Sequence, residues 1–107
     1  MRQLTPRELK AWLDDSSRES PVIVDVREAW EVQLCALPGA VHLPMDSVPA
    51  RQQELDPEAE VVFVCHHGMR SMKVAAFLDR NGFASTYNLS GGIDAWARDV
   101  DPAMPTY

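Results

Sequence analysis

The apolar residues of this chain fall into two kinds of run. Val22-Ile23-Val24 and Val61-Val62-Phe63-Val64 are short, unbroken and rich in β-branched side chains. Such runs suit strands covered on both faces, and they predict strands over 21–26 and 61–64. Ala40-Val41-His42-Leu43 predicts a short strand after the Pro38-Gly39 turn, and Ser85 to Leu89 a last one. Elsewhere the apolar positions recur at helical spacing. Leu9, Trp12 and Leu13 mark one face, and Val74, Phe77, Leu78 and Asn81 another.

The ends of the predicted helices carry their own signals. Thr5-Pro6-Arg7-Glu8 reads as a capping box with proline at the first helical position, and Leu4 and Leu9 are spaced for a hydrophobic staple. Asn81-Gly82-Phe83 reads as a stop, with Gly82 in the left-handed region and Phe83 folding back. Short helices are expected over 28–34 and 47–55, the latter ending near Asp56-Pro57. Ser90 is expected to cap a final helix carrying Ile93 and Trp96. Strands alternating with helices imply an α/β domain with a mostly parallel sheet and helices on both faces. Residues 1–107 form a single domain, and 99–107, with two prolines, form a surface tail.

Composition narrows the function. Net charge is −6 with no basic cluster, which argues against nucleic acid as the main partner. No apolar run approaches the roughly 18 residues of a membrane span. The start carries Arg2, Arg7, Glu8 and Lys10 rather than a signal peptide's apolar stretch, so a soluble cytoplasmic protein is the expectation. Two cysteines, Cys35 and Cys65, make neither a disulfide framework nor a four-cysteine zinc site.

In open α/β sheets ligands sit beyond the carboxyl ends of the strands. Two strand ends stand out, Asp25-Val26-Arg27 and Cys65-His66-His67-Gly68-Met69-Arg70-Ser71. In the second, Cys65 follows a buried strand directly and a helix opens just beyond it. Unpaired amides at a helix N-terminus stabilise an anion such as a thiolate. Gly68 lets the backbone bend tightly. Arg70 offers a fixed fork of donors, and Ser71 an inward hydroxyl. Between Val61 and Leu78 the sequence has no acid while Arg70 and Lys73 are both present. The loop therefore reads as locally cationic and suited to an anionic substrate.

Four segments in order resemble the rhodanese family: Asp25-Val26-Arg27-Glu28, Leu37-Pro38-Gly39-Ala40-Val41-His42-Leu43-Pro44, Cys65-x-x-Gly68-x-Arg70-Ser71, and Leu89-Ser90-Gly91-Gly92-Ile93-Asp94-Ala95-Trp96. The resemblance implies a five-stranded parallel sheet and sulfur transfer by double displacement. Cys65 would attack the outer sulfur of a donor such as thiosulfate, sulfite would leave, and an acceptor, cyanide or a thiol, would take the sulfur from the resulting persulfide. Cys65 is the expected nucleophile. His66, His67, Gly68, Met69, Arg70 and Ser71 are the expected substrate-binding residues, their amides cradling the persulfide. No metal or organic cofactor is implied. The expected partners are a small anionic sulfur donor and a thiol acceptor, either a small thiol or a thioredoxin-like protein.

The family often has a basic residue directly after the cysteine, and this chain has His66. Thiosulfate is then a weaker donor, or turnover rises at mildly acidic pH as the histidine gains charge. A bland assignment suits the other notable residues. Asp25 and Arg27 bond the neighbouring loop, and His42 is a satisfied histidine behind the site. Cys35 is incidental, and Trp12, Trp30 and Trp96 are packing residues. Adjacent histidine side chains diverge, so His66 and His67 shape access rather than hold a metal. Two rival functions remain. A non-catalytic regulatory module on the same fold normally lacks the cysteine. A cysteine phosphatase or arsenate reductase resembles Cys-x-x-x-x-x-Arg, a wider loop than the one between Cys65 and Arg70.

Overall fold

The computed structural model describes residues 1–107. Five strands form one sheet in the order β1-β5-β4-β2-β3, every pair parallel. They are β1 (Arg2–Leu4), β2 (Val22–Asp25), β3 (Val41–His42), β4 (Glu60–Val64) and β5 (Ser85–Leu89). The helices are α1 (Pro6–Asp14), α2 (Ala29–Leu34), α3 (Val48–Arg51), α4 (Met69–Arg80) and α5 (Gly92–Asp99), with single 3₁₀ turns at Met45–Ser47 and Gln52–Glu54 on either side of α3. No helix is long and apolar enough to cross a membrane.

The period of two in β4 divides the core. Val61, Phe63 and Cys65 face one cluster with Val24, Val26, Val48, Val74 and Leu78. Val62 and Val64 face the other, with Leu9, Trp12, Ile23, Leu89, Ile93 and Trp96. Thus α3 and α4 cover one face of the sheet, and α1 and α5 the other. An unbroken apolar run is what a strand needs when both of its faces are covered. Phe63 is fully buried at the centre, where truncation to alanine costs about 3–5 kcal/mol.

Most of the terminal signals operate as expected. Thr5 Oγ accepts from the Glu8 amide at 3.1 Å while Glu8 Oε1 accepts from the Thr5 amide at 2.9 Å. At the end of α4, Gly82 has φ +93°, and the Phe83 amide donates to Leu78 O at 3.0 Å. That bond closes a Schellman turn.

The expected five-stranded parallel sheet is present, and every pair in it is parallel. Four readings need correction. Strand β1 was not anticipated: it has three residues and one apolar side chain, and exists because it pairs with Tyr87, Asn88 and Leu89 of β5. Asn81 is exposed at the end of α4 and does not extend its apolar face. Ser90 does not cap α5; Gly91, at φ +75°, occupies the cap position, and the Ser90 hydroxyl bonds Gln3 instead. Trp12 and Trp96 are core residues, but Trp30 is 61% exposed. The tail runs over the surface with two inward anchors, Met104 packed on the second cluster and Tyr107.

Candidate active site

The β4 strand delivers Cys65 to the sheet's carboxyl edge, where the residue is 1% exposed. The chain then turns through Gly68 at φ +98° into α4. This turn aims donors at the sulfur. Sγ accepts from the Gly68 amide at 3.1 Å and from the Ser71 amide at 3.3 Å, with Ser71 Oγ at 3.2 Å. The amides of His66, His67, Met69 and Arg70 have no partner within the protein. A helix start that would ordinarily leave donors to water instead concentrates them around one sulfur.

Helix α5 holds this loop in shape. The Ile93 amide donates to Cys65 O at 2.8 Å and the Asp94 amide to His66 O at 3.1 Å. Tying those carbonyls to the start of α5 turns them away from the sulfur. The approach is so close that a Cβ on Gly92 would collide with the Cys65 and His66 carbonyl oxygens. Gly92 is thus required for backbone contact with the loop, beyond the left-handed geometry that it and Gly91 both supply.

Ser71 is buried and its hydroxyl is shared. Oγ lies 2.5 Å from Asn88 Oδ1 as well as 3.2 Å from Sγ. The Asn88 amide group donates to Gln3 Oε1 at 2.9 Å and to Gly68 O at 3.1 Å, which fixes Oδ1 toward Ser71. One hydroxyl proton cannot serve both acceptors, and a negative charge on Sγ would draw it away from Asn88. Sequence reasoning passed over Asn88, since nothing local marks a strand asparagine as buried.

The neighbouring strand end is a closed set of charges. Arg27 is fully buried. It donates to both Asp25 carboxylate oxygens (2.9 and 2.7 Å), to Cys35 O (2.6 Å), to Glu31 O (3.4 Å) and to the Tyr107 hydroxyl (2.9 Å). Burial works against its charge, but the bonds to Asp25 and Tyr107 outweigh burial and raise its pKa. The His42 ring sits 2.7 Å from Arg27 O. These residues thus bond each other and the segment after α2, as the sequence suggested.

Arg70 is placed differently from expectation. Both of its terminal nitrogens donate to Glu31, at 2.6 and 2.9 Å, so its fork is occupied by a carboxylate of the protein. The bond from Arg70 holds the Glu31 carboxyl down at about 2 despite burial, helped by the Tyr107 hydroxyl. The local reading of the loop as cationic is corrected by this pair. Helix α2 brings Glu31, and α5 brings Asp94, whose carboxylate is 3.8 Å from His67 Nε2. Glu31, distant in sequence, neutralises the Arg70 charge that the loop's own composition displays.

His66 and His67 do not diverge. Their ring centroids are 3.9 Å apart, tilted by 31°, and with Asp94 they place one ligand-type atom each within 4.8 Å of one another. On its other neighbour His66 stacks flat against Tyr107, with centroids 3.8 Å apart and planes 8° apart. Cys35 is partly exposed, with Arg27 Nη1 3.9 Å from its sulfur.

Residues 5–99 match the family described as Rhodanese-like domain. The chain is 43% identical over 84 residues to the putative sulfurtransferase YtwF of Bacillus subtilis, covering 78% of this chain and 81% of that protein. It is 33% identical to the thiosulfate sulfurtransferase GlpE of Actinobacillus succinogenes, covering 98% and 92% of the two chains. A rhodanese-like domain protein from Staphylococcus aureus superposes with a TM-score of 0.85 at 33% identity, covering 100% of this chain and 99% of the other.

Proposed function

The chain belongs to the rhodanese-like domain family, and from that premise we propose that it is a sulfurtransferase working through a persulfide on Cys65. The observation that carries this reading is the ring of donors around Sγ: two backbone amides and a hydroxyl at 3.1 to 3.3 Å. Preorganised donors of this kind stabilise negative charge on sulfur without reorganising during the reaction.

The reaction balances without an external oxidant. The Cys65 thiolate attacks the outer sulfur of a donor such as thiosulfate. An Sγ–S bond forms, the donor's S–S bond breaks, and sulfite leaves with the electron pair. Cys65 then carries a terminal sulfur bearing negative charge. The unpartnered amides of His66, His67, Met69 and Arg70 are the further donors available to that extra atom. An acceptor, cyanide or a thiol, attacks the terminal sulfur and the Cys65 thiolate is regenerated. The side chain of Arg70 acts indirectly here: paired with Glu31, it fixes the first turn of α4 and so the amides that do the binding. The physiological acceptor in this reading is a small thiol or a thioredoxin-like protein, and the compartment is the cytoplasm.

Intact mass after incubation with thiosulfate tests the proposal. We expect a gain of one sulfur atom, removed by cyanide or reductant, present in Cys35→Ser and absent from Cys65→Ser. Absence of any gain with thiosulfate, 3-mercaptopyruvate and a persulfide donor would refute it and favour the non-catalytic module.

A further inference from the structure

We infer that Tyr107 is a positioning residue of this site: it pins the His66 imidazole in a stack that buries its Nε2 beside the Cys65 loop, so that donor binding is left to backbone amides rather than to an imidazolium charge. The kinetic part of this inference rests on the sulfurtransferase reading; the part concerning His66 does not.

Tyr107 is held at both ends. Its hydroxyl accepts from Arg27 Nη1 at 2.9 Å and donates to Glu31 Oε2 at 2.6 Å. Its ring lies flat on His66 and meets Trp30 edge-on at 5.9 Å. Such offset and edge-on contacts are each worth a fraction of a kcal/mol to about 1.5 kcal/mol. The hydroxyl bonds anchor the ring to the closed charge network of Arg27 and Glu31, so the stack is tied to that network. Burial pushes the Tyr107 phenol up to about 12, with the bond to Glu31 acting the same way. It therefore stays a donor to Glu31 throughout the working range of pH.

The stack acts on His66 in two ways. It covers the ring, and it leaves Nε2 buried without a hydrogen-bond partner. Protonating both ring nitrogens would bury an N–H with nothing to receive it, which is costly. The charged and titratable groups facing His66 are His67 in the same loop, Asp94 of α5, Glu31 of α2 and Tyr107 itself. Burial, and next the neighbouring His67, lower the His66 pKa, while the backbone of Tyr107, and after it the carboxylates of Asp94 and Glu31, work the other way; the net direction is down. Where the sequence alone suggested a histidine that readily gains charge at mildly acidic pH, burial and His67 shift its titration toward lower pH.

The test is a proton NMR titration of the imidazole Cε1 signals, with His66 assigned from His66→Gln, in wild type, Tyr107→Phe and Tyr107→Ala. Circular dichroism checks that each is folded; should Tyr107→Ala fail to fold, Tyr107→Leu replaces it. We expect His66 of Tyr107→Ala to titrate about half a unit or more above wild type. Tyr107→Phe, which keeps the stacked ring, should stay near wild type. In steady-state assays, the thiosulfate KM of Tyr107→Ala should fall by about threefold from pH 8 to pH 6, with kcat changing less and wild-type KM nearly flat. The same His66 midpoint in all three proteins, or the same shift in the phenylalanine and alanine variants, overturns the inference. If none of the proteins turns over thiosulfate, the donor proposed above is at fault, and the His66 midpoint alone still decides the role of Tyr107.

Discussion

Two adjacent strand ends solve opposite problems. At the end of β2, Asp25 and Arg27 form a saturated set: both residues are buried and each guanidinium nitrogen is bonded. At the end of β4, one strand over, the backbone is left unsaturated, with four loop amides unpaired beside a sulfur that has two amides and a shared hydroxyl within reach. Side-chain charge builds the frame, and in the proposed reaction the backbone dipoles are the part left free to bind sulfur. The two regions are joined by Glu31, which takes Arg70 from the loop and the Tyr107 hydroxyl from the tail. A charge offered by the loop is thereby spent on rigidity.

The comparison can be broken from the chemical side first. Cys65→Ser should abolish sulfur loading completely while leaving the melting temperature within a few degrees of wild type, because the loop's shape comes from its neighbours; mass spectrometry and calorimetry report the two properties separately. Gly92→Ala attacks the joint between α5 and the loop. The new Cβ meets the Cys65 and His66 carbonyls at a residue with φ +65°, so a loss of about 3 kcal/mol in urea unfolding is expected, together with loss of sulfur loading. Preserved activity in a destabilised Gly92→Ala protein would show that the amide cradle does not depend on α5.

The frame is tested by Glu31→Gln. We expect about 2 kcal/mol of destabilisation near neutral pH. The sign of its pH dependence follows from the depressed pKa. With the folded-state value at about 2 against an ordinary 4.5, Glu31 contributes its full stability above about pH 5 and loses it as pH falls toward 2. The gap between wild type and Glu31→Gln in unfolding free energy should therefore close across that window; a constant gap would mean the pair with Arg70 is not its source. The smallest effect is expected from Ser71→Ala, which removes one of three donors to Sγ: about a tenfold fall in kcat/KM for thiosulfate, and partial freeing of Asn88. An unchanged rate would assign the hydroxyl to Asn88 alone.

Much of the frame was legible in local sequence because its causes are local. The capping box at Thr5, the stop at Gly82 and the unbroken strands at 22–24 and 61–64 each depend on residues a few positions apart. Strand β1 was not legible, since three residues with a single apolar side chain become a strand only when β5 is beside them. Ser90 does not cap because the chain enters α5 through left-handed backbone at Gly91, where a Cβ would also meet Ala95, and the serine hydroxyl turns to Gln3. The placement of Cys65 among backbone donors was legible from a buried strand running directly into it and a glycine-bearing helix start.

The sequence by itself determined the α/β alternation, the helix and strand ends, and the position of Cys65 at a strand terminus, because periodicity and capping act over a turn or two of chain. The tertiary structure alone decided the electrostatics. Glu31, Asp94 and Tyr107 lie 39, 24 and 37 residues from Arg70 in sequence, yet they set which charges near the sulfur are neutralised and which ring nitrogen is buried. Coulombic and stacking interactions depend on distance in space, and that distance is fixed only when the helices have packed against the sheet.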